Sequence, residues 1–283
     1  MFKYGVSAAL HELPATQPVT LRGDIEAVCA EAAGLGYDAV ELHIREPGRY
    51  DPVKIRRAAE NCGLAVCAAA NGMEYTVGGL SLIDDDGAKR EAAVRRLAEH
   101  ADFAAGLGAM LIVGIIRGNI PKGAGPGIYR DRFGAAMRRV CGHAAGIGVK
   151  VVLESILRYI NNYLNSVPET MDYIENAGIE NLSLHIDTHS MAMEESDLVK
   201  SVLYCSGKPL GYVHYSENNR RYPGAGAIDF KALTKSLIKI GYSGYITLEC
   251  LPWPTGPDSA GRGLIYMKAV ERAARMELAA ENF

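Results

Sequence analysis

Eight short β-prone runs, longer stretches of helical periodicity between them, and polar side chains gathered at the ends of the last four runs predict a closed (βα)8 barrel. Repeating βα units imply parallel strands, and eight of them close more readily than they stay open. An open doubly wound sheet is the alternative, but no GxGxxG follows the first run to support it. At 283 residues and 48% hydrophobic, the chain can bury a large core, and a barrel of ~250 residues fits within it. No Pro/Ser-rich linker, low-complexity block or shift in composition marks a second domain. Residues 1–283 are therefore expected to form a single TIM barrel domain.

KYGVSAA opens the series, and the helical segment DIEAVCAEAAGLG after it closes on glycine, as helix C-caps do. YDAVELHI, the second run, ends with Glu41 and His43 on one face, where they could reach a substrate. LAVCAAA, the third, precedes the long helical stretch DDDGAKREAAVRRLAEHADFAAGLG, which again reaches glycine before AMLIVGI, the fourth. KVVLESI ends in Glu154 and leads to the helical ETMDYIENAG. In LSLHIDTH, alternation sets Ser183, His185, Asp187 and His189 on one face and Leu182, Leu184 and Ile186 on the other. GYVHYS carries His214 at its end, and YITLEC carries Glu249.

Functional side chains of such barrels cluster at the C-terminal ends of the strands. Glu154, Asp187, His214 and Glu249 comply, each two residues beyond a member of the same face: Val152, His185, Tyr212 and Thr247. Three buried carboxylates in one mouth would repel one another unless a cation neutralised them. One divalent metal ion resolves that cost, and three oxygen donors with one imidazole suit Mn²⁺, with Co²⁺, Mg²⁺ or Zn²⁺ as alternatives.

The formal net charge is −3, without a basic stripe or a charged tail, so neither nucleic acid nor a membrane surface is an expected partner. No apolar stretch approaches the ~20 residues of a membrane span, and a soluble cytoplasmic protein is expected. The six cysteines are scattered with no CxxC pair, which reads as reduced, mostly buried thiols.

LESILRYINNYLNS, LHIDTHSMAMEES, VHYSENNRRYPGAGAIDF and GYSGYITLE resemble, in order and spacing, the xylose-isomerase-like TIM barrels, and within them the ketose 3-epimerases of the D-tagatose and D-psicose (allulose) type. The resemblance implies that Glu154, Asp187, His214 and Glu249 are the metal ligands. It also implies that Glu154 and Glu249 double as the catalytic acid/base pair and that Arg220 holds a substrate hydroxyl. Two departures stand out: Ile160 replaces a second glutamate of the family's strand-five motif, and Ser190 precedes Met191 where the family places histidine. His189, one residue earlier, is read as a displaced substrate-binding substitute. His185, two residues before Asp187, is read as a donor that orients a metal ligand.

The function implied is a metal-dependent epimerase or isomerase of a ketose or keto-sugar derivative, moving a proton at the carbon next to the carbonyl through an enediolate. An inosose-type dehydratase or lyase is the alternative on the same metal site. An endonuclease IV-like nuclease would want more than seven histidines and a basic face, and a non-catalytic binding barrel leaves the acid/base carboxylates unexplained. Arg220 and Arg221 in the Gly-rich NRRYPGAGAID segment raise a sugar phosphate as substrate, and Trp253 either walls the sugar site or packs its loop. A homodimer or homotetramer is expected from the resemblance alone.

Overall fold

The eight runs become eight parallel strands in the computed structural model, which describes residues 1–11 and 13–281. β1 (Lys3–Ala9) is followed by a two-residue strand, β2 (Leu21–Arg22), then by β3 (Ala39–His43), β4 (Ala65–Ala70), β5 (Met110–Val113) and β6 (Val151–Glu154). β7 (Leu182–Asp187), β8 (Leu210–Tyr215) and β9 (Tyr245–Leu248) complete the set. β1 pairs with β3, each later strand pairs with its successor, and β9 returns to β1 to close the barrel. β2 only extends the end of β1, at Ala8 and Ala9.

Between the strands run α1 (Ile25–Leu35), α2 (Pro52–Asn61), α3 (Gly72–Thr76), α4 (Gly87–Leu107), α5 (Pro126–Gly146), α6 (Val167–Ala177), α7 (Thr188–Glu194), α8 (Leu198–Tyr204) and α9 (Phe230–Lys239); α10 (Gly256–Glu281) follows the last strand. Asp24, Asp86 and Asp229 start α1, α4 and α9 by accepting a backbone N–H of the first turn, where a carboxylate also meets the positive end of the helix dipole. Gly36, Gly108 and Gly178 end α1, α4 and α6 in the left-handed conformation that side-chain-bearing residues avoid. No helix among the described residues is long and apolar enough to cross a membrane. All six cysteines are free, and only Cys62 is not fully buried.

One predicted strand ends early. LSLHIDTH stops at Asp187 because its Oδ1 accepts the backbone N–H groups of His189 (2.7 Å) and Ser190 (3.1 Å), and that cap starts α7. His189 thus stands on a helix rather than on the inward face of the strand.

The strands separate two apolar layers. Leu42, Leu111, Leu153, Leu184, Ile186 and Ile246 pack outward against the helices. Ala39, Cys67, Ala68, Ala70, Ile112, Val152 and Tyr212 form a separate cluster inside the barrel. Most of these inner residues are small, which leaves room for a cavity above them. The register places Glu154 beside His185 and Asp187 beside His214, so polar residues of three neighbouring strands converge on one end.

Candidate active site

A cavity of about 400 Å³ opens at the C-terminal mouth of the barrel. Glu154, His189, Ser190, His214, Arg220, Glu249 and His43 face it, while Leu13, Val19, Met73, Ile112, Ile115, Ile156, Leu157 and Ile160 supply an apolar wall. Gly114, just past β5, lies against the Glu154 carboxylate: a Cβ there would come within 2.7 Å of Oε2. Any side chain at that position would push Glu154 out of place.

His214 is the centre of the polar side. Its Nδ1 lies 3.5 Å from Glu249 Oε2 and 4.0 Å from Asp187 Oδ2, and it has no hydrogen-bond partner. Its Nε2 lies 2.7 Å from Oε2 of Glu41, a fully buried carboxylate on β3. Arg220 donates from Nη1 to Asp187 Oδ2 and from Nη2 to Glu249 Oε2, bridging two carboxylates. Its backbone is left-handed, φ 61°, a conformation sustained by its N–H bond to Glu217 O and the bond from Leu251 N to its own carbonyl.

The two cavity glutamates differ in character. Burial, together with the charges of Glu249 and Asp187, pushes the Glu154 carboxyl up to about 8. Burial acts the same way on Glu249, but the charges of Arg220 and His214 outweigh it and bring that carboxyl down to about 2. Burial opposes charge on His214, yet the attraction of Glu41 and Glu249 carries its imidazole well above the ordinary value. Glu41 mirrors it: desolvation raises the carboxyl, and the charge and hydrogen bond of His214 bring it well below. Around neutral pH the mouth holds one protonated glutamic acid and one glutamate.

These residues fit a divalent ion. Two overlapping groups of donors lie within 4.8 Å of one another: Glu154 with His185 and His214, and Glu41 with His214 and Glu249. The sequence-predicted Glu154, His214 and Glu249 are thus brought together, and Asp187 Oδ2 stands at 4.0 Å from His214. Asp187 keeps Oδ2 toward the centre because Oδ1 is engaged in capping α7. The orphaned Nδ1 of His214 and the repulsion carried by Glu154 are what an ion would relieve.

Residues 29–270 match the xylose isomerase-like TIM barrel family. This chain is 33% identical over 218 residues to a ketose 3-epimerase of Arthrobacter globiformis, covering 76% of this chain and 73% of that one. The chain belongs to the xylose isomerase-like TIM barrel family. Another member, an L-ribulose 3-epimerase of Methylomonas sp. (strain DH-1), is 30% identical over 263 residues, covering 84% of this chain and 89% of its own. Among solved structures of these barrels, a D-allulose 3-epimerase from Methylomonas sp. in complex with D-allulose superposes with a TM-score of 0.81 at 26% identity, covering 95% and 96% of the two chains.

Other residues singled out in the sequence fall variously within this xylose isomerase-like barrel. His189 lines the cavity with Nδ1 3.2 Å from the Glu217 carbonyl, and Ser190 and Ile160 line it too. His185 is fully buried beside His214, ring centroids 4.2 Å apart, and neither of its nitrogens has a hydrogen-bond partner. His185 makes no hydrogen bond to the four predicted donors, and the carboxylate within hydrogen-bond distance of His214 Nε2 is that of Glu41. The signal for Glu41 was the Glu-x-His at the end of the second run, whose partner lies 173 residues away. Arg220 is committed to Asp187 and Glu249, and Arg221 stacks 3.8 Å over the Trp253 ring, so neither guanidinium is placed to receive a phosphate. Trp253 is not among the described residues that line the cavity.

Proposed function

We propose that this protein is a divalent-metal-dependent epimerase of a ketose or keto-sugar derivative, with Glu154, Asp187, His214 and Glu249 holding the ion and Glu154 and Glu249 moving the proton. The observation that carries this reading is the pair of cavity carboxyls on β6 and just past β9, both gathered around His214, whose Nδ1 has no hydrogen-bond partner, and shifted in opposite directions by their surroundings. The names of the relatives, ketose, L-ribulose and D-allulose 3-epimerases, support the substrate class.

Epimerisation beside a ketone needs a proton removed from one face of the carbon and another returned to the opposite face. Glu249 is suited to accept the proton, and Glu154, once it again carries a proton, to return one to the opposite face; the reverse reaction exchanges the roles. Each carboxylate has two oxygens, so one can face the ion while the other stays available for the proton. Arg220 joins Asp187 to Glu249 and lines the cavity, where an N–H outside that bridge can meet a substrate hydroxyl. The apolar wall excludes water from the exchanging protons. When bound, the ion supplies Lewis-acid stabilisation of the charge that develops on the carbonyl oxygen, and the oxygen-rich donor set favours Mn²⁺ first.

The test is a screen of ketoses in D₂O with added Mn²⁺, read by NMR. Deuterium entering beside the carbonyl together with a new epimer is the expected result, and a dehydrated product or no exchange with any ketose would overturn the assignment. Selectivity follows from Ile160 and Ser190, which stand in the cavity where the resembled family carries polar substrate contacts. Free D-psicose and D-tagatose lose hydrogen bonds worth about 1 kcal/mol each there. Initial rates on both are expected to fall below those on ketoses that are shorter or less polar at that end, and Ile160→Glu to shift the preference back. Undiminished native rates on D-psicose would refute this.

A further inference from the structure

We infer that Glu41 is a positioning residue for the ion site: its carboxylate fixes the His214 ring so that Nδ1 is the atom turned toward Asp187 and Glu249. The inference rests on the ion-site reading above and goes beyond its four donors. Glu41 stands on β3, far from the four donors in sequence, and is completely buried. Its oxygens are all engaged. Oε2 accepts from His214 Nε2 and from the Tyr212 hydroxyl, each at 2.7 Å, and Oε1 lies 2.8 Å from His43 Nε2.

A carboxylate only accepts hydrogen bonds, so its contact with His214 requires an N–H on Nε2 and leaves Nδ1 as the ring atom free to take a cation. The lateral contacts agree. His185 and Tyr212 hold the ring at centroid distances of 4.2 and 5.2 Å but offer His214 no hydrogen bond, so among the described residues its side-chain hydrogen bond is the one to Glu41. With both oxygens engaged by three partners, Glu41 is the support of the ion site and not one of its donors, although it lies within the same donor cluster. Through His43, whose Nε2 is also 3.6 Å from Glu249 Oε1, the same carboxylate borders the second acid/base residue.

The experiment is calorimetric titration of the full-length protein with Mn²⁺ alone, for the unaltered chain, E41A, E41Q and E271Q. A carboxylate that orients a ligating histidine typically contributes 10–100-fold in affinity, and E41A is expected to lose about that much. The amide oxygen of E41Q can still accept the Nε2–H bond, so its loss is smaller, about 3–10-fold, with an altered visible spectrum of the Co²⁺ form. E271Q changes an equally buried carboxylate that bonds Phe2 N and Tyr4 Oη, away from the mouth, and is expected to lower the melting temperature while leaving Mn²⁺ affinity within about twofold. Unchanged affinity in E41A overturns the inference, as does a loss in E271Q as large as that in E41A. If E41A does not fold, E41Q decides: affinity and Co²⁺ spectrum both unchanged would overturn it. An unaltered protein that takes up no Mn²⁺ would overturn the ion-site reading itself, a different failure from an ion bound equally well without Glu41.

Discussion

Glu154→Gln is expected to lower turnover by about 10²–10⁴-fold and to remove about one proton from those released when the protein takes up Mn²⁺ below pH 8. The first effect comes from losing a proton carrier, since an amide neither accepts nor returns a proton at the substrate carbon. The second comes from the environment of Glu154. Burial and the nearby charges of Glu249 and Asp187 push its carboxyl up to about 8, so at neutral pH it is protonated until a cation arrives. Uptake must then expel that proton, and affinity in the unaltered protein rises with pH until about 8, where this contribution levels off. Calorimetry in buffers of different ionisation enthalpy counts the protons directly. Equal proton release by the two proteins at pH 7 would mean that Glu154 does not meet the ion.

Glu74→Ala is expected to destabilise the fold by about 2–4 kcal/mol, a fall in melting temperature of roughly 5–10 °C. Glu74 lies in α3, the short helix that carries Met73 to the cavity wall, and its carboxylate is nearly inaccessible. It accepts the Glu46 N–H at 2.9 Å, lies 3.0 Å from His100 Nε2 and pairs with Arg96 at 2.8 Å. Removing it orphans a backbone donor and a fully buried imidazole; Arg96, which also reaches Glu99, is less affected. Burial raises this carboxyl, but the hydrogen bonds from His100, Arg96 and Glu46 outweigh it and bring the value from 4.5 to about 2. A folded-state value below the unfolded one contributes stability above about pH 4.5 that is lost as pH falls toward about 2. The gap between variant and unaltered protein should therefore narrow across that window in thermal melts. A gap independent of pH would show that the lost contribution is packing rather than charge.

The barrel was legible because its signals are local. β1 coincides with the predicted KYGVSAA, and the helix ends at Gly36, Gly108 and Gly178 follow from the one residue that takes the left-handed turn without strain. The placement of Glu154, Asp187, His214 and Glu249 at one end of the barrel was legible for the same reason: each ends a β-prone run, and strand ends share a mouth in this topology. What escaped depends on pairings across the barrel. Glu41 could be placed on the inward face of its strand, but no spacing rule tells that β8 brings His214 to it. Arg220 could be located after β8, but its bridge between Asp187 and Glu249 comes from a backbone turn with φ 61° that the surrounding loop imposes. α7 was missed because seven residues give too little periodicity to compete with the strand before them, and its start is the side chain of Asp187 itself.

Among the described residues, every carboxylate facing the cavity comes from the second half of the chain, whereas the first half contributes mostly apolar and small residues such as Leu13, Val19, Met73 and Ile115. The two cavity carboxylates and much of the apolar wall that shapes the cavity are therefore written in different stretches of the gene. Mutagenesis of the loops after β1 and β4, and of the loop after β5 with Gly114 kept, can reshape which molecule enters without displacing either carboxylate, so libraries for altered substrate range belong there. Glu41 is the exception that such libraries must keep fixed, because it is the point at which the first half holds the chemistry of the second.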